Sequence, residues 1–414
     1  MNILVFSQYF WPENFRINEL VAALARRASV TVLTGKPNYP EGTIFPGYSA
    51  AGVQREDRAG VEIIRIPLIP RGRGSPFRLA LNYLSFAISG YLVSPLVLRG
   101  RSFDVVLVYA PSPLLQALPA IFVSWLKGVP LVVWVQDLWP ESLEATGSLR
   151  NQYLLWIIKK AVGFIYRHAD SILVQSPAFF GPVARQGAEI GKIKYFPNHA
   201  EAVFNSQAKT SICAEALASE IGPFFSIVFA GNVGIAQSLE TIVEAAERLR
   251  LNDSIRFVII GSGSQKAWLA TEVRKRQLMN IRLVDRLPPS DLPVVFSAAS
   301  ALLVTLRDQP IFAYTVPSKL QTYLAAGKPI IAALNGEGAR VVTEAAAGIS
   351  CLAGDSVALA DAVLYLSRLS SQDRERMGYN GRQYAKSNYD LEMLTAQLVD
   401  HFEHLTCQHP EGLN

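Results

Sequence analysis

The run FSIVFAGNVG, residues 225–234, places six apolar or small residues in succession before a glycine-containing turn. Apolar residues at consecutive positions indicate a strand that is buried on both faces, as in a parallel sheet covered by helices. Similar runs follow at 255–263, 281–286, 301–306, 329–334 and 348–353, with helical patterns such as SLETIVEAAERL (238–249) between them. The second half of the chain is therefore predicted to be a doubly wound α/β domain.

The first half of the chain shows the same alternation. Its strand-like runs are NILVFS, VTVLTG, VEIIRIPL, FDVVLVY, PLVVWVQD and SILVQS. The segment 199–222 loses this pattern and is predicted to be an interdomain linker. The sequence thus predicts a Rossmann-like domain at 1–198, a second at 223–385, and a closing helix and tail at 386–414. Two such domains are expected to face one another across a cleft, with ligands at the carboxyl ends of the strands.

The composition suits a large folded protein of a reducing compartment. Half of the 414 residues are apolar, so both domains have enough apolar residues for a core. The three cysteines are scattered and odd in number, which favours the cytosol over a disulfide-forming environment. The opening MNILVFSQYF lacks the basic region of a signal peptide and is interpreted as a first strand.

The positive charge is concentrated in the first half, and no acidic residue occurs between Glu62 and Asp104. Within that interval, arginines of the segment 71–101 flank an apolar run, residues 79–98. This run could form buried core helices, lie on an anionic membrane surface or span a bilayer. All three interpretations are compatible with its length and composition.

Two classes of protein are disfavoured by what the sequence lacks. No basic stripe with interleaved aromatic residues and no zinc-finger spacing is present, which argues against nucleic-acid binding. A dinucleotide-dependent oxidoreductase needs an acidic residue for the ribose after its second strand, and VTVLTGKPN (30–38) offers none.

Three loops of the second half are candidates for holding a diphosphate. Two follow strands and contain Gly231, Asn232 and Gly234, and Gly261, Ser262 and Gly263. Glycines there would let backbone amides approach phosphate oxygens. The third, PSKLQTYLAAGKPI (317–330), predicts a short helix with Ser318 and Gln321 as a capping box and Gly327 as its stop. Lys319 in its first turn opposes the helix dipole unless an anion lies there.

The chain resembles the retaining glycosyltransferases of family 4, which have the two-domain GT-B architecture, over essentially its whole length. The resemblance is carried by long motifs in order, including QYFWPENFRINELVAALA, TGKPNYPEGTIFPGY, VWVQDLWPESLEATG, AGNVGIAQSLETIVEAA and VPSKLQTYLAAGKPI. Within the family it is most similar to L-fucosamine transferases and colanic acid glycosyltransferases. The resemblance implies a nucleotide-sugar donor held by the second domain, an acceptor held by the first, and no bound metal; no D-x-D triplet occurs in the sequence.

Within this family resemblance, Lys319 and the adjacent helix amides would stabilise the departing diphosphate. The other donor-side candidates are Gln237, Arg286, Arg307, Tyr314, Pro317, Ser318 and Thr322, together with the glycine-loop residues named above. The sequence also departs from the family pattern, because Tyr314 and Thr322 stand where two glutamates are frequent, and Asn232 and Gln237 stand where an arginine and a lysine are frequent. Either Lys319, Arg307 and Arg286 replace these contacts, the donor is bound differently, or activity has been lost.

On the acceptor side, Asp137 follows a predicted strand and could orient or deprotonate a hydroxyl, stabilise a positive sugar, or simply cap a helix. Glu141 is a second catalytic candidate. The remaining acceptor candidates lie after the first two strands: Glu13, Asn14, Arg16, Lys36, Asn38 and Tyr39.

The function expected from the sequence is transfer of a sugar, of the N-acetylated deoxyhexosamine type, from a UDP-sugar to a polyprenyl-diphosphate-linked saccharide at the cytoplasmic membrane face. A soluble transferase with a small-molecule acceptor and a non-catalytic, nucleotide-sugar-binding or scaffold protein remain as alternatives. The sequence makes no prediction of oligomeric state.

Overall fold

The computed structural model describes residues 1–72, 76–145, 149, 151–201 and 210–408. The chain divides into two compact units. The first contains Met1–Pro197 and the segment that begins at Leu391, and the second contains Asn198–Asp390. The C-terminal helix therefore belongs to the unit formed by the N-terminal half of the chain.

Fourteen strands occur in the described residues. They are β1 (Asn2–Ser7), β2 (Ser29–Thr34), β3 (Gln54–Arg58), β4 (Val61–Arg65), β5 (Val105–Ala110), β6 (Leu131–Val135), β7 (Ser171–Val174), β8 (Ile193–Tyr195), β9 (Phe225–Ala230), β10 (Ile255–Ile260), β11 (Ile281–Val284), β12 (Ala301–Thr305), β13 (Ile330–Ala333) and β14 (Gly348–Cys351).

The α-helices of the described residues are α1 (Ile17–Leu24), α2 (Pro76–Val97), α3 (Ala117–Lys127), α4 (Glu141–Ala145), α5 (Gln152–His168), α6 (Phe180–Arg185), α7 (Ile212–Ile221), α8 (Leu239–Arg248), α9 (Lys266–Lys275), α10 (Leu292–Ala298), α11 (Pro310–Ala313), α12 (Ser318–Ala326), α13 (Glu337–Glu344), α14 (Ser356–Arg368), α15 (Ser371–Asn388) and α16 (Leu391–Gln408).

Each unit is built on a sheet whose strand order reverses once. The first sheet has the order β3-β4-β2-β1-β5-β6-β7-β8, with every pair parallel except β3 with β4. The second has the order β11-β10-β9-β12-β13-β14 and is entirely parallel. The reversals lie between β1 and β5 and between β9 and β12, which is where doubly wound sheets bind ligands.

The consecutive apolar residues of the inner strands are buried on both faces, as predicted, whereas the edge strands β11 and β14 are only partly buried. In β9, Ile227 and Phe229 belong to a core with α8, α9 and α14, whereas Val228 and Ala230 belong to a second core with α7, α10, α12, α13 and α15. In the first unit, α1 and α16 cover one face of the sheet, and α3 packs on β5 and β6 of the other face. The predicted α/β class with two doubly wound sheets is confirmed, and the antiparallel pair β3 and β4 at one edge is an addition to the predicted parallel pattern.

Some elements differ from the sequence prediction. The edge strand β3, with the sequence QREDR, and the short β8 carry no apolar run and were not predicted. The segment predicted to be a linker contains α7, whose Ala214, Leu217 and Ile221 are buried in the second unit. The segment 199–222 is therefore not only an interdomain linker, because its second half forms a helix that packs in the core of the second unit.

All but the last residue of the apolar run 79–98 lies within one helix, α2. Only 22% of its most apolar window is buried, and Phe77, Leu92 and Leu96 are 71%, 68% and 73% exposed. The interpretation as buried core helices is therefore wrong. By length and composition alone α2 could cross a membrane, yet it packs on α3 of the folded unit, where Gly90 faces Pro119.

Candidate functional site

In the second unit, two glycine loops meet beside the reversal of strand order. Gly261 has a φ of +151°, and a Cβ built on it would lie 1.9 Å from the carbonyl oxygen of Gly231. Gly263 has a φ of +157°, and a Cβ there would lie 2.3 Å from the carbonyl oxygen of Val233. Only glycine satisfies both the backbone conformation and the close approach at these positions. These glycines allow the two loops to pack on each other.

The backbone amides of these loops are largely engaged within the protein. The Gly231 amide donates to Ile260 O at 2.9 Å, and the Gly261 amide donates to Val284 O at 3.1 Å. The Val233 amide donates to Ser262 O at 2.9 Å. The amides of Gly231 and Gly261 are therefore not presented to a diphosphate, because their bonds extend the parallel sheet instead, and the Val233 bond joins the two loops.

Lys319 projects from the first turn of α12 to the loop after β9. Its Nζ donates to Gln237 Oε1 at 2.7 Å and lies 3.6 Å from the centroid of the Phe229 ring. A Cβ on Gly231, whose φ is +141°, would lie 3.3 Å from this Nζ. Burial of the ammonium lowers the pKa of Lys319 from 10.5 to about 7. Gln237 and Gly231 thus surround a cation that has no carboxylate bonded to it among its described contacts.

The position of α12 is fixed by Tyr323, a residue not singled out in the sequence. The Tyr323 hydroxyl accepts from the Ala230 amide at 2.8 Å and donates to the Ala230 carbonyl at 3.2 Å. These bonds join the middle of α12 to the end of β9. The predicted capping box is wrong, since Pro317 occupies the N-cap position and Ser318 is the first helical residue, whereas Gly327 ends the helix with a φ of +69° as predicted.

The other donor-side candidates differ in their surroundings. Arg307 pairs with Glu240 at 2.8 Å, and its amide donates to Ala236 O, which brings it beside the Gln237 loop. Arg286 is exposed after β11. Thr322 is almost completely buried, one turn after Lys319.

Four further candidates complete the donor-side set. Tyr314 is half-buried at the end of α11. Pro317 is half-buried, and Asn232 and Ser318 are exposed.

In the first unit, a buried carboxylate connects the loops after β1 and β2. Glu13 is 2% exposed, and its Oε1 accepts from the amides of Asn38 and Tyr39 at 2.8 and 2.6 Å. Its Oε2 accepts from the Phe10 amide at 3.3 Å. Burial raises the pKa of Glu13 to about 7, while the amide hydrogen bonds act in the opposite direction. Glu13 therefore shapes these loops from within.

The neighbouring polar residues are also buried. Lys36 donates to Gln54 Oε1 at 2.7 Å, and burial lowers its pKa to about 8. Asn38 accepts from the Arg71 amide through Oδ1 at 3.0 Å. Tyr39, by contrast, is 37% exposed, and the Arg71 guanidinium lies 4.9 Å from its ring centroid.

The remaining candidates of these loops are at the surface or partly so. Asn14 is exposed, and Arg16 is half-buried at the start of α1. Exposed Tyr39 and Asn14 are the candidates that a ligand could reach directly.

Asp137 and Glu141 lie together after β6. Burial raises the pKa of Asp137 to about 6, although hydrogen bonds from Ser142, Leu138 and Trp139 lower it. Glu141 accepts from Gln186 Nε2 at 2.7 and 2.6 Å. Asp137 precedes α4, so a structural role at the helix start and a chemical role both fit its position.

A residue not singled out in the sequence lies beside this pair. The Tyr166 hydroxyl is completely buried, and its pKa is raised by burial and by the charges of Glu141 and Asp137. Among the described residues, no group of three or more His, Cys, Asp or Glu side chains is placed to hold a metal ion.

Two models of known protein families match this chain. A family model described as "Glycosyl transferase 4-like domain" matches residues 14–199, and one described as "Glycosyl transferases group 1" matches residues 221–384. The two models cover consecutive parts of the chain and together most of its length. The chain belongs to the family 4 glycosyltransferases. The resemblance noted in the sequence is thereby confirmed.

Two curated relatives of this glycosyltransferase are also named as glycosyltransferases. It is 27% identical over 346 residues to the "Putative colanic acid biosynthesis glycosyl transferase WcaI" of Escherichia coli K12, covering 79% of this chain and 82% of the relative. It is 28% identical over 341 residues to the "Probable glycosyltransferase WbjE" of Pseudomonas aeruginosa, covering 79% and 80%.

Solved structures confirm the GT-B fold of the glycosyltransferase. HepE of Anabaena, in complex with UDP, aligns with a TM-score of 0.69 at 14% identity and covers 98% of this chain and 100% of its own. Sucrose-phosphate synthase of Thermosynechococcus elongatus aligns with a TM-score of 0.75 at 17% identity, covering 98% and 99%. At these identities the likeness establishes the fold.

Proposed function

We propose that the glycosyltransferase moves a sugar from a UDP-sugar to a polyprenyl-diphosphate-linked saccharide in surface polysaccharide biosynthesis, such as that of O-antigen, capsule or exopolysaccharide. The sugar is of the N-acetylated deoxyhexosamine type, for example N-acetyl-L-fucosamine, and is transferred with retention and without a metal ion. The enzyme works in the cytoplasm, at the inner face of the cytoplasmic membrane. The names of the two curated relatives and the UDP in the HepE structure support this choice of process and donor.

The observation that carries the proposal is the buried ammonium of Lys319 at the reversal of strand order. Its pKa of about 7 and its single described hydrogen bond to Gln237 leave it under-compensated for a cation. A diphosphate near Nζ would restore the charge balance and raise the pKa again. The exposed Asn232 and the nearby Arg307 would contact the nucleotide portion or the phosphates from the same loop region.

In the proposed reaction, the C1–O bond between the sugar and the diphosphate breaks as Lys319 stabilises the negative charge on the leaving UDP. A new C1–O bond forms to an acceptor hydroxyl on the same face of the sugar. The hydroxyl proton passes to an oxygen of the departing diphosphate or to Asp137. With a pKa of about 6, Asp137 is mostly ionised at pH 7 and able to accept or orient that proton.

The first unit is proposed to bind the acceptor through exposed residues of the loops after β1 and β2. Tyr39, with Arg71 over its ring, offers a stacking surface and a cation for a saccharide diphosphate. Glu13, Lys36 and Asn38 are buried and act as supports that position this surface. Asn14 and Arg16 lie in the loop between β1 and α1, where Asn14 is exposed.

The test is incubation of the purified protein with a panel of UDP-sugars and a short-chain polyprenyl-diphosphate saccharide. UDP release is measured together with the mass of the saccharide product. Matching UDP release and mass gain would support transfer and identify the sugar. UDP binding without release across the panel, by folded protein, would refute catalysis.

A second candidate function is nucleotide-sugar binding without transfer, within a polysaccharide assembly complex. It is favoured by Tyr314 and Thr322, which stand where the family frequently has glutamates. Restoring the carboxylates in a Tyr314→Glu/Thr322→Glu variant distinguishes the two. If the wild-type protein releases no UDP and the variant does, the binding function is supported. If the wild-type protein transfers sugar, the binding function is excluded.

A further inference from the structure

We propose that α2, α3 and α5 together form one surface that docks on an anionic lipid bilayer. This inference rests on the proposed lipid-linked acceptor, and it assigns the membrane contact to three helices rather than to the segment 71–101 alone. The three helices lie side by side in the first unit, with α3 packed on both α2 and α5.

Each of the three helices exposes large apolar side chains. On α2 they include Leu84, Ile88 and Leu92, at 50%, 57% and 68%. On α3, Trp125 is 75% and Leu126 is 48% exposed. On α5, the exposed residues are Tyr153, Leu154, Trp156, Ile157 and Phe164, with Tyr153 at 69%. A soluble monomer rarely exposes so many large apolar residues on adjacent helices.

Aromatic contacts join the exposed side chains of α2 and α3, and α5 carries a stacked pair of its own. A Cβ on Gly90 of α2 would lie 2.7 Å from the Pro119 ring of α3, so the two helices are in close contact there. Tyr91 and Phe122 meet across the same interface with ring centroids 5.5 Å apart, and Phe122 stacks on Trp125 at 6.3 Å. On α5, Tyr153 and Trp156 stack at 6.2 Å. The aromatic residues thus continue from α2 across α3 and recur on α5.

The charge of the three helices selects the occupant. Their sequences, residues 76–97, 117–127 and 152–168, contain no aspartate or glutamate. They carry Arg78, Lys127, Lys159, Lys160 and Arg167; Lys159 and Lys160 are exposed, and the Lys160 ammonium lies 5.6 Å from the centroid of the Trp156 ring. A symmetric contact with a second copy would bring these like charges together. An anionic bilayer instead receives the cations at its headgroups and Trp and Tyr at its interface.

The orientation of α2 places the acceptor-side residues close to this surface. Asn82, on the buried side of α2, donates to Ile69 O at 2.7 Å and accepts from Gln8 Nε2 at 2.7 Å. Asn82 also lies beside Asn38, 3.5 Å away. The docking surface and the loops proposed to bind the saccharide are therefore separated by about one helix diameter, roughly 10 Å. An acceptor anchored in the bilayer would present its saccharide at that depth.

The experiment is co-sedimentation of the full chain with vesicles of phosphatidylcholine alone or with phosphatidylglycerol. Binding is expected only when phosphatidylglycerol is present. Replacing Trp125, Tyr153 and Trp156 by serine, which leaves α2 intact, should reduce partitioning at least tenfold. The matched control is Tyr379→Ser, an aromatic residue 62% exposed on α15 of the other unit, which should bind as the wild type does.

A charge variant tests the electrostatic part. Lys159→Glu/Lys160→Glu should weaken partitioning by about fivefold or more per residue, whereas Lys275→Glu/Lys386→Glu, exposed lysines of α9 and α15, should not. If only Leu84→Ser/Ile88→Ser on α2 abolished binding, the three-helix surface would be wrong. Absence of binding by wild-type protein, or a dimer in sedimentation velocity that the Trp125/Tyr153/Trp156 variant loses, would overturn membrane docking.

Transfer to a water-soluble acceptor separates this inference from the proposed function. The Trp125/Tyr153/Trp156 variant should keep wild-type UDP release with that acceptor, because none of the three residues is placed in the catalytic or binding machinery. If the wild-type protein transfers sugar but does not bind vesicles, the docking surface is refuted and the transferase function is not. Wild-type protein that binds vesicles but releases no UDP would refute the transferase and leave the docking surface in place.

Discussion

Replacement of Lys319 by methionine should stabilise the protein while it removes donor binding. Methionine keeps the length and apolar stem of lysine but has no ammonium to bury. Because burial lowers the pKa of Lys319 from 10.5 to about 7, the folded state carries a penalty of at most about 4 kcal/mol at pH 7. Gln237 loses its partner in the variant, and the residue as a whole is partly exposed although its ammonium is buried, so we expect a net gain of about 1–2 kcal/mol.

The pH dependence of this gain has a definite sign. Below pH 7 the lysine is charged in both the folded and the unfolded chain, and the full penalty applies. Between pH 7 and 10.5 the folded chain holds fewer protons than the unfolded chain, so wild-type stability rises with pH. The penalty itself falls to about a third of its pH 7 value at pH 9.5, whereas the lost hydrogen bond does not depend on pH, so the net advantage of Lys319→Met should disappear there.

The assay is urea unfolding at pH 7.0 and 9.5, followed by a signal from the second unit, together with calorimetric titration of UDP-N-acetylglucosamine. The control is Lys386→Met on the surface of α15, which should change stability by less than about 0.5 kcal/mol at both pH values. Loss of more than 1 kcal/mol in Lys319→Met with donor affinity unchanged would refute the reasoning, because it would make the lysine a structural residue.

The same lysine should take up a proton when the donor binds. At pH 8 a group with a pKa of about 7 is about 90% neutral, and a bound diphosphate favours its ammonium form. Titrations in buffers of different ionisation enthalpy should therefore report uptake of about 0.9 proton per UDP-N-acetylglucosamine. Titrations whose enthalpies do not depend on the buffer would contradict the assigned pKa or the contact.

Three further substitutions test the supports of the two sites. Glu13→Ala should lower the free energy of unfolding in urea by about 2–4 kcal/mol, because it leaves buried amides without an acceptor. Asn14→Ala, the exposed neighbour, should leave it unchanged, and equal effects of the two substitutions would refute the buried role of Glu13. Gly261→Ala should yield unfolded or donor-deficient protein, whereas Gly354→Ala, with φ +81° and nothing within 4 Å, should cost only about 1 kcal/mol. Tyr323→Phe should cost about 1–3 kcal/mol and weaken UDP binding, and wild-type values of both would show that the hydroxyl does not position α12.

The parts of the fold that follow from burial could be predicted from the sequence. A strand buried on both faces must be apolar or small at consecutive positions, as in FSIVFA, and β9, β12 and β13 in the middle of the second sheet have this pattern. The edge strand β3, QREDR, could not be predicted in this way because its side chains are mostly in water. The helix α7 was missed because only Ala214, Leu217 and Ile221 mark its buried face.

The candidate site was predictable at the level of residues but less so at the level of contacts. Lys319 was identified because a cation in a first helical turn is unfavourable without a counter-ion. The second role of Tyr323 had no sequence signal, since a tyrosine on an apolar helix face is compatible with simple core packing. Likewise, glycines after strands indicate close approach but not its partner, and here the partner of Gly261 is the carbonyl of Gly231.

The return of the C-terminal helix to the first unit has a consequence for dissecting the protein. Leu394, Leu398 and Phe402 of α16 are buried against α1 and the first sheet. Residues 1–197 expressed alone would expose that apolar face to water, so the N-terminal half is not a separable fragment. The second unit is topologically an insertion into the first. A chimaera that exchanges it between relatives therefore needs two junctions, after Pro197 and before Leu391, so that both segments of the first unit come from the same protein.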